Sequence, residues 1–312
     1  MEFHHIPVLL EEVLEGLQPR PDGLYLDGTV GGGGHSAAIL EKTAGQGRLI
    51  GLDQDPRALA AARKKLEKFA DRVTLVRSNF RRLGSVVEEL GQAGKVDGIL
   101  LDIGVSSHQL DEAERGFTYR AEAPLDMRMN PDGAVTAAQI LNEYPEGEIS
   151  RILWEYGEER WSKRIAQFIV NRRAEQPLVS TVDLVDVIRA AIPAAARQEG
   201  GHPAKRTFQA LRIAVNDELG ALQEALPAAL DALAPGGRLA VISFHSLEDR
   251  IVKNFFSEQA KSCTCPPDMP ICGCGKKARL KIITRKPVTG SEEEIKTNPR
   301  SQSAKLRVAQ KI

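Results

Sequence analysis

The sequence predicts an α/β protein, a parallel β-sheet with helices on both faces, into which an all-helical segment is inserted. Three observations predict it. Apolar runs alternate with helical patterns over residues 24–112, and repeated strand–helix units of this length are typical of parallel sheets. Residues 135–192 then hold four helical patterns with no strand between them. Strand–helix order resumes after the turn at residues 234–237.

The first predicted strand and helix enclose a glycine loop around which the chain is organised. The strand ends at Asp27, glycines stand at 28 and at 31–34, and a helical pattern begins at Ser36. Glycine lets a ligand approach the backbone closely, and the amides at the start of the helix can then contact that ligand. This arrangement is typical of a nucleotide-cofactor site. A glycine loop without a ligand is the alternative.

The residues around the loop distinguish between cofactors. From Gly31 the sequence follows Gly-x-Gly-x-x-Ser, whereas the dinucleotide fingerprint ends in glycine. The carboxylate of Asp27 would repel a pyrophosphate but attract the ammonium group of an amino-acid cofactor. We therefore expect S-adenosylmethionine, with Asp27 and Gly31 among its contacts, rather than a nicotinamide dinucleotide.

The next three strands each lead to a candidate site residue. Residues 48–52 end at Asp53, where an acid accepts hydrogen bonds from ribose hydroxyls. A cap of the following helix is the alternative role for Asp53. Residues 73–77 lead to Phe80, which suits an adenine face or the core. Residues 96–101 end at Asp102. Ligands of such sheets bind beyond the carboxyl ends of the strands, where we expect all three side chains.

The segment after the fourth strand faces the reactive end of the expected cofactor. Asp102 would bind the cofactor's ammonium group or orient the substrate, and Ser106, Ser107 and Gln109 supply neutral hydrogen-bonding groups. A nucleophilic serine needs a base within reach. Although His108 is adjacent, nothing here resembles a nucleophile elbow, so the sequence disfavours a serine hydrolase.

The fifth predicted strand, residues 238–244, leads to His245. A histidine at this end of a strand suits a substrate contact or a proton acceptor. A structural histidine is the equally weighted alternative.

The inserted helical segment, predicted at residues 113–212, concentrates basic and aromatic side chains. Trp154, Tyr156, Trp161 and Phe168 are interleaved with the basic residues. Phosphate contacts combined with stacking rings suit RNA, whereas solvated helix faces are the ordinary explanation. The candidate RNA contacts are Arg160, Lys163, Arg164, Arg172 and Arg173.

Composition limits the class of protein. The formal net charge is +0, so any polyanion would be met by local basic patches. We find no apolar run of about 18 residues that predicts a membrane span. The N-terminus also lacks the basic and then apolar layout of a signal peptide, and the expected compartment is the cytoplasm.

The cysteines of the chain form one cluster, Cys-x-Cys-x6-Cys-x-Cys, within residues 263–274. Four thiolates at this spacing suit a tetrahedral zinc site. No histidine or carboxylate joins them to leave an open position, which disfavours a catalytic metal. A structural zinc ion and a reduced loop without metal both remain open. The candidate ligands are Cys263, Cys265, Cys272 and Cys274.

Seven motifs are spread from end to end of the chain. They include DGTVGGGGHS at residues 27–36, DIGVSSHQL at 102–110 and SFHSLEDR at 243–250, with others at 5–12, 124–129, 207–212 and 298–301. Together they resemble the MraW/RsmH family of S-adenosylmethionine-dependent methyltransferases, which methylate the exocyclic N4 of a cytosine in small-subunit ribosomal RNA. The cysteine cluster is not among the shared motifs.

The resemblance implies a class I, Rossmann-like methyltransferase sheet, formed by residues 1–112 and 213–312 and interrupted by a helical domain thought to bind RNA. It implies methyl transfer to a specific cytosine in the decoding region of 16S rRNA, within the small ribosomal subunit. The cofactor contacts that it implies are Gly33, Gly34, His35, Asp53, Phe80, Asp102 and Gln109.

The chemistry of an exocyclic amine sets the remaining expectations. The lone pair of this nitrogen is delocalised into the ring, so a site must hold its N–H bonds and bring nitrogen and methyl carbon to roughly 3 Å in line. Other amino-methylating enzymes use an Asn/Asp-Pro-Pro-aromatic motif after the fourth strand, which is missing here. We assign the acceptor role to Asp102, Ser106 or Ser107, and His245. A non-catalytic RNA-binding ribosome-assembly factor and a DNA amino-methyltransferase are the alternatives.

Overall fold

A computed structural model describes residues 7–106, 109–110, 112–198, 201–265 and 273–312. Its strands are β1 (Leu24–Asp27), β2 (Arg48–Asp53), β3 (Val73–Arg77), β4 (Val96–Asp102), β5 (Leu233–Ser243), β6 (Leu280–Ile282) and β7 (Lys305–Lys311). They form one sheet in the order β3-β2-β1-β4-β5-β7-β6. The first five strands are parallel, and β7 pairs antiparallel with both β5 and β6. The predicted α/β class with a parallel sheet is confirmed.

Twelve α-helices are found in the described part of the chain. They are α1 (Leu10–Leu17), α2 (Gly34–Lys42), α3 (Pro56–Lys65), α4 (Leu83–Glu89), α5 (Ala137–Glu143), α6 (Glu146–Gly157), α7 (Ser162–Glu175), α8 (Thr181–Ala191), α9 (Lys205–Asn216), α10 (Glu218–Ala232), α11 (Ser246–Ala260) and α12 (Glu292–Thr297). None of them combines the length and the apolar character that a membrane-spanning helix requires.

The sheet is covered on both faces. Successive side chains of a strand point to opposite faces, and on β1 Leu26 joins one core while Tyr25 joins the other. The first core is completed by α4, α10 and α11, and the second by α1, α2 and α3. Because both faces are buried, the parallel strands read as continuous apolar runs in the sequence.

The chain divides into two compact units. One comprises the sheet, from the N-terminal part up to Gly104 together with the residues from Leu219 onward, and the other is Val105–Glu218. In the described part of the second unit the α-helices are α5–α9, packed on their own core around Leu141, Leu153 and Ile165. The predicted insertion, residues 113–212, lies within this unit.

Two predicted elements differ from the structure. The helical stretch predicted over residues 204–233 is two helices, because Asp217 has left-handed backbone angles (φ 46°, ψ 47°). The fifth strand begins at Leu233 rather than at residue 238. Its pairing with β4 shifts register between the Val96–Leu233 and Gly98–Arg238 pairs, so the residues predicted as a turn form an irregularity inside the strand.

Candidate functional site

The glycine loop lies where the strand order reverses. Strands β2 and β3 lie on one side of β1, whereas β4 and β5 lie on the other. The loop is bonded to both neighbours, since Gly28 N–H donates to Leu100 O at 2.9 Å and Val30 N–H donates to Leu52 O at 2.9 Å. A switch point of this kind leaves a crevice at the carboxyl ends of the strands, where α/β proteins bind their ligands.

Asp27 is buried beneath the loop and is 1% exposed. The Ser36 hydroxyl donates to its carboxylate at 2.6 Å, and the Thr29 N–H donates at 3.1 Å. Burial raises the pKa of Asp27 above its ordinary value. The side chain therefore ties the end of β1 to the start of α2, and its expected contact with a cofactor ammonium group stays a prediction.

Asp53 holds the loop from β2. Its two carboxylate oxygens accept hydrogen bonds from Gly31 N–H and Asp55 N–H, each at 2.9 Å. Burial raises the pKa of Asp53 to about 6. Asp55, whose carboxylate accepts from Arg57 N–H at 2.9 Å, is the residue that caps α3. Each carboxylate oxygen of Asp53 keeps further lone pairs, which suits the expected ribose contact.

The start of α2 requires glycine for reasons of conformation and space. Gly33 precedes the helix with φ +80°, and a Cβ there would lie 3.3 Å from both Ala62 Cα and Leu66 Cγ. A Cβ on Gly34 would lie 2.6 Å from Pro7 Cγ. In the described structure no side chain caps this helix, which leaves its first turn to a ligand.

His35 is neutral and buried beside Asp102. Its Nε2–H donates to Val8 O at 2.9 Å, while Nδ1 lies 3.7 Å from Asp102 Oδ2. Burial lowers the pKa of His35 to about 4. The imidazole therefore brings no positive charge to the aspartate. It fixes the glycine loop against the segment that precedes α1.

Asp102 is the least satisfied carboxyl group of the site. Its N–H donates to Thr29 Oγ1 at 2.7 Å, but its buried Oδ1 has no hydrogen-bond partner among the described residues. Burial, followed by the negative charges of Asp27 and Glu248, raises the pKa of Asp102 to about 8. A buried carboxylate is stable only when it is paired. This end of the sheet is therefore suited to a ligand that brings a positive charge.

The pKa of Asp102 predicts the pH dependence of the free protein. The pKa of Asp102 is about 8 in the folded chain, against an ordinary value of 3.8. The protonated carboxyl therefore contributes fully to the stability of the fold below pH 3.8, and this contribution is lost as the pH rises through 8. Above about pH 8, Asp102→Asn should raise the melting temperature of the cofactor-free protein by a few degrees. Melting curves at about pH 6 and about pH 9 test this.

The exposed Asp71 provides the matched control, Asp71→Asn. The quantity compared is the difference in melting temperature between each variant and the wild type, because Asp27 and Asp53 titrate in all of these proteins. If the difference in melting temperature between Asp102→Asn and the wild type does not widen with rising pH, the environment described for Asp102 is contradicted.

Glu248 is a residue of the site that the sequence did not single out. It lies in the first turn of α11 and is 0% exposed. Its Oε2 accepts from the N–H groups of Phe244 and His245 at 2.8 and 3.2 Å, and its Oε1 lies 3.1 Å from His245 Nε2. Glu248 thus fixes the backbone of His245 and lies beside its imidazole. The spacing of three residues between them is the pattern of a capping box, which is the local sequence feature that identifies the pair.

Two residues predicted in the segment after β4 belong to the second compact unit. Ser106 N–H donates to Gln109 Oε1 at 3.1 Å, and Gln109 N–H donates to Ser106 Oγ at 3.3 Å. This reciprocal pair of hydrogen bonds ties Ser106 to Gln109. Ser107 lies outside the described residues. The roles assigned to all three stay predictions.

Phe80 follows β3 at the start of a single 3₁₀ turn, Phe80–Arg82. It is partly buried and packs against the core formed with α4, α10 and α11. The expected contact of its ring with an adenine stays a prediction.

Three of the predicted RNA contacts are exposed. Arg160, Lys163 and Arg164 lie at the start of α7 or just before it, and Arg164 Cζ is 5.4 Å from the centre of the Phe168 ring. On α6, Trp154 is 60% exposed, which is unusual for the largest aromatic side chain. These four side chains offer cations and a ring to a ligand.

The other two predicted RNA contacts take part in the fold of the second unit. Arg172 donates to Gln176 O at 2.9 Å, and Arg173 donates to Leu141 O at 2.7 Å. Both arginines are only partly exposed. Their expected role in RNA binding stays a prediction, with fewer donors left for phosphate.

The candidate metal ligands lie between α11 and β6. The Sγ atoms of Cys263, Cys265 and Cys274 are all within 4.8 Å of one another. Cys272 lies outside the described residues.

Comparison with known proteins places this chain among methylases. The model of the MraW methylase family matches residues 2–312. The chain is 95% identical to Ribosomal RNA small subunit methyltransferase H from Heliobacterium mobile, over 100% of both chains. It is 61% identical to the protein of that name from Symbiobacterium thermophilum, over 100% of this chain and 98% of the other. A solved rRNA methylase from Streptococcus thermophilus is 11% identical, with a TM-score of 0.42, over 97% of this chain and 93% of that one.

Proposed function

Because this chain belongs to the MraW methylase family, we propose that it transfers a methyl group from S-adenosylmethionine to the exocyclic N4 of a cytosine in 16S rRNA. The observation that carries the proposal is the group of carboxyls at the switch point, with Asp102 Oδ1 buried and unpartnered in the described structure. The relatives that match the full chain are named for methylation of small-subunit ribosomal RNA.

The residues present fit this cofactor. It carries an ammonium and a sulfonium cation, and the described end of the sheet offers the buried carboxyl group of Asp27 and the partly buried carboxyl groups of Asp53 and Asp102. Asp102 would hold a cationic group, Asp53 the ribose hydroxyls, and Phe80 the adenine ring. When bound, the cofactor supplies an electrophilic methyl group. These assignments agree with the contacts that the family resemblance implies.

The chain's own residues must also manage the protons of the substrate amine. An attacking amino group becomes cationic as its new N–C bond forms, and it must then release a proton. Asp102 and His245 are the acceptors that we assign, with Ser106 or Ser107 completing the set. Glu248 is a positioning residue, because it accepts a hydrogen bond from the His245 N–H, lies 3.1 Å from His245 Nε2 and touches no substrate in this assignment.

The sequence of the chain argues against the neighbouring chemistries. Methylation of cytosine at C5 requires a nucleophile such as a thiolate to add to the ring, yet every cysteine falls within residues 263–274 and none directly follows a parallel strand. The amino-methyltransferases of DNA carry a Pro-Pro motif after the fourth strand, where this chain reads Asp102-Ile103-Gly104-Val105. Attack by N4 of a cytosine in RNA is the reaction that the family resemblance implies, and it is the one that we propose.

The substrate class is tested by offering labelled S-adenosylmethionine with three nucleic acids side by side. These are small ribosomal subunits lacking the modification, naked 16S rRNA and duplex DNA. We expect label in the subunits. Label in DNA alone would establish the DNA amino-methyltransferase instead. Tight cofactor binding with no label anywhere would favour a non-catalytic assembly factor.

The exposed cations of the second unit predict a defect in RNA binding. Arg160→Glu combined with Lys163→Glu should raise the KM for RNA by roughly tenfold or more and reduce the salt dependence by about one unit per lost phosphate contact. We expect kcat to be unchanged at saturating RNA. Steady-state kinetics at two salt concentrations give both quantities.

Arg63→Glu combined with Lys64→Glu, on the exposed surface of α3, is the matched control for the reversal of two charges. An equal rise of KM in that control would show that net charge, and not this part of the second unit, determines RNA affinity.

A further inference from the structure

The loop between α11 and β6 brings three thiols together away from the carboxyl cluster. The Sγ atoms of Cys263 and Cys274 lie 3.8 Å apart, and Cys265 Sγ is within 4.8 Å of both. A disulfide would need about 2.05 Å. In a tetrahedral zinc site with Zn–S bonds of about 2.3 Å, two sulfurs stand about 3.8 Å apart. The spacing of Cys263 and Cys274 is therefore that of two ligands around a shared metal, and Cys265 is close enough to join them.

Backbone amides in the same loop point at the sulfurs. Thr264 N–H donates to Cys274 Sγ and Cys265 N–H donates to Cys263 Sγ, both at 3.4 Å. Donors of this kind stabilise the thiolate, which is the form that binds metal. Gly275 directly follows Cys274 and has φ +61°. The chain therefore turns sharply there in a conformation that favours glycine.

Burial does not explain why these side chains meet. No described residue of the segment 261–279 is buried, and none has a place in the two cores of the sheet. The base of the loop is closed, since Arg279 N–H donates to Gln259 O at 2.8 Å. Closing such a loop costs chain entropy, and exposed thiols gain little by packing. A bound metal supplies the missing cross-link.

We propose that Cys263, Cys265 and Cys274 bind a structural zinc ion, which clamps this loop between α11 and the edge strand β6. Sulfur ligands select zinc over magnesium or calcium. Zinc takes a fourth ligand, and the remaining candidate cysteine, Cys272, lies outside the described residues. The ends of the clamped loop are tied to the sheet unit by ion pairs, Lys276 with Glu258 and Arg279 with Asp231.

The metal content of the full-length protein, purified without a histidine tag, tests the proposal. We expect about one zinc ion per chain by elemental mass spectrometry, and a large loss of zinc in Cys263→Ser. Ser262→Ala, one residue earlier, is the matched control and should keep its zinc. Replacement by Co²⁺ should give the sulfur-to-cobalt charge-transfer and intense visible bands of a tetrahedral thiolate site.

Two results would overturn the proposal. One is a wild-type protein that takes up neither zinc nor Co²⁺ when it is reduced. The other is a disulfide within residues 263–274 in protein isolated from a reducing compartment. If Cys263→Ser does not fold, the Co²⁺ titration of chelator-treated wild type gives the same decision. Cofactor binding is measured in parallel and should survive metal removal, which separates this proposal from the proposed methyl transfer.

Discussion

Asp102→Asn should lower the rate of methyl transfer by a factor of about 100 to 1000, the loss found when one preorganised polar group is removed from an active site. The substitution keeps the size and shape of the side chain, so the fold should persist. It removes a partly buried carboxylate whose buried Oδ1 has no hydrogen-bond partner in the described structure. The variant therefore loses both the negative charge that would bind a cationic ligand and one proton acceptor.

Single-turnover rates with saturating cofactor, together with cofactor affinities from calorimetry, measure this effect. The calorimetry is repeated from about pH 6.5 to about pH 8.5, because Asp102 with a pKa of about 8 must ionise before it pairs with a cation. The amino group of the cofactor titrates in the experiments with either protein. The difference in cofactor affinity between wild type and Asp102→Asn therefore reports the ionisation of Asp102. Asp71→Asn is again the control. Turnover near that of wild type would remove Asp102 from the catalytic set.

Gly33→Ala should destabilise the fold by about 2 kcal/mol and weaken cofactor binding by roughly tenfold or more. A side chain at φ +80° is strained, and its Cβ would also press on Ala62 Cα and Leu66 Cγ at 3.3 Å. The Ala62 atom belongs to the backbone of α3 and cannot rotate away. The loop and the first turn of α2 would have to shift, and these are the backbone groups that we expect to contact the cofactor.

Gly45→Ala separates strain from crowding. Gly45 has φ +95°, but nothing lies within 4 Å of the point that a Cβ would occupy there, so only the conformational cost of about 1 kcal/mol applies. Denaturant unfolding and cofactor titration of both variants make the comparison. Equal losses of cofactor affinity in the two variants would show that the close packing of the loop against α3 is unimportant for binding.

Local sequence patterns predicted the sheet and the ends of its strands well. Asp27, Asp53 and Asp102 each follow an apolar run, and such runs are clear when a parallel strand is buried on both faces. The early start of β5 was missed because Pro235, Gly236 and Gly237 have the composition of a turn. Only the pairing of Leu233 with Val96 on β4 shows that the strand includes them.

Features that depend on distant partners could not be predicted. The break between α9 and α10 follows Asn216, whose amide donates to Met127 O at 2.8 Å and accepts from Met129 N–H at 2.7 Å. These partners lie more than eighty positions earlier in the chain. In the same way Arg173 reads as a surface charge until its bond to Leu141 O is seen.

The positions of Asp27, Asp53 and Asp102 at the ends of strands were predicted from the sequence, whereas their roles in a site stay predictions. Asp27 was expected to face a ligand, yet Ser36 and Thr29 occupy its oxygens within the loop. Glu248 was not singled out because helix composition does not reveal that an acid is buried. Its burial depends on how α11 packs against the sheet, which is a property of the whole fold.

The position of the transferred methyl group decides whether this protein methylates N4 of a cytosine. Small ribosomal subunits methylated by this protein are digested to nucleosides and analysed by mass spectrometry against standards for each methylated cytidine. We expect the wild type to form N4-methylcytidine, and we expect the amount of this nucleoside to be strongly reduced with Asp102→Asn. A methyl group on C5 or on the ribose would contradict this assignment. Methylation at C5 requires a nucleophile that adds to the ring, and methylation of the ribose takes place at a hydroxyl oxygen. The residues that we assign as acceptors for an amine serve neither reaction.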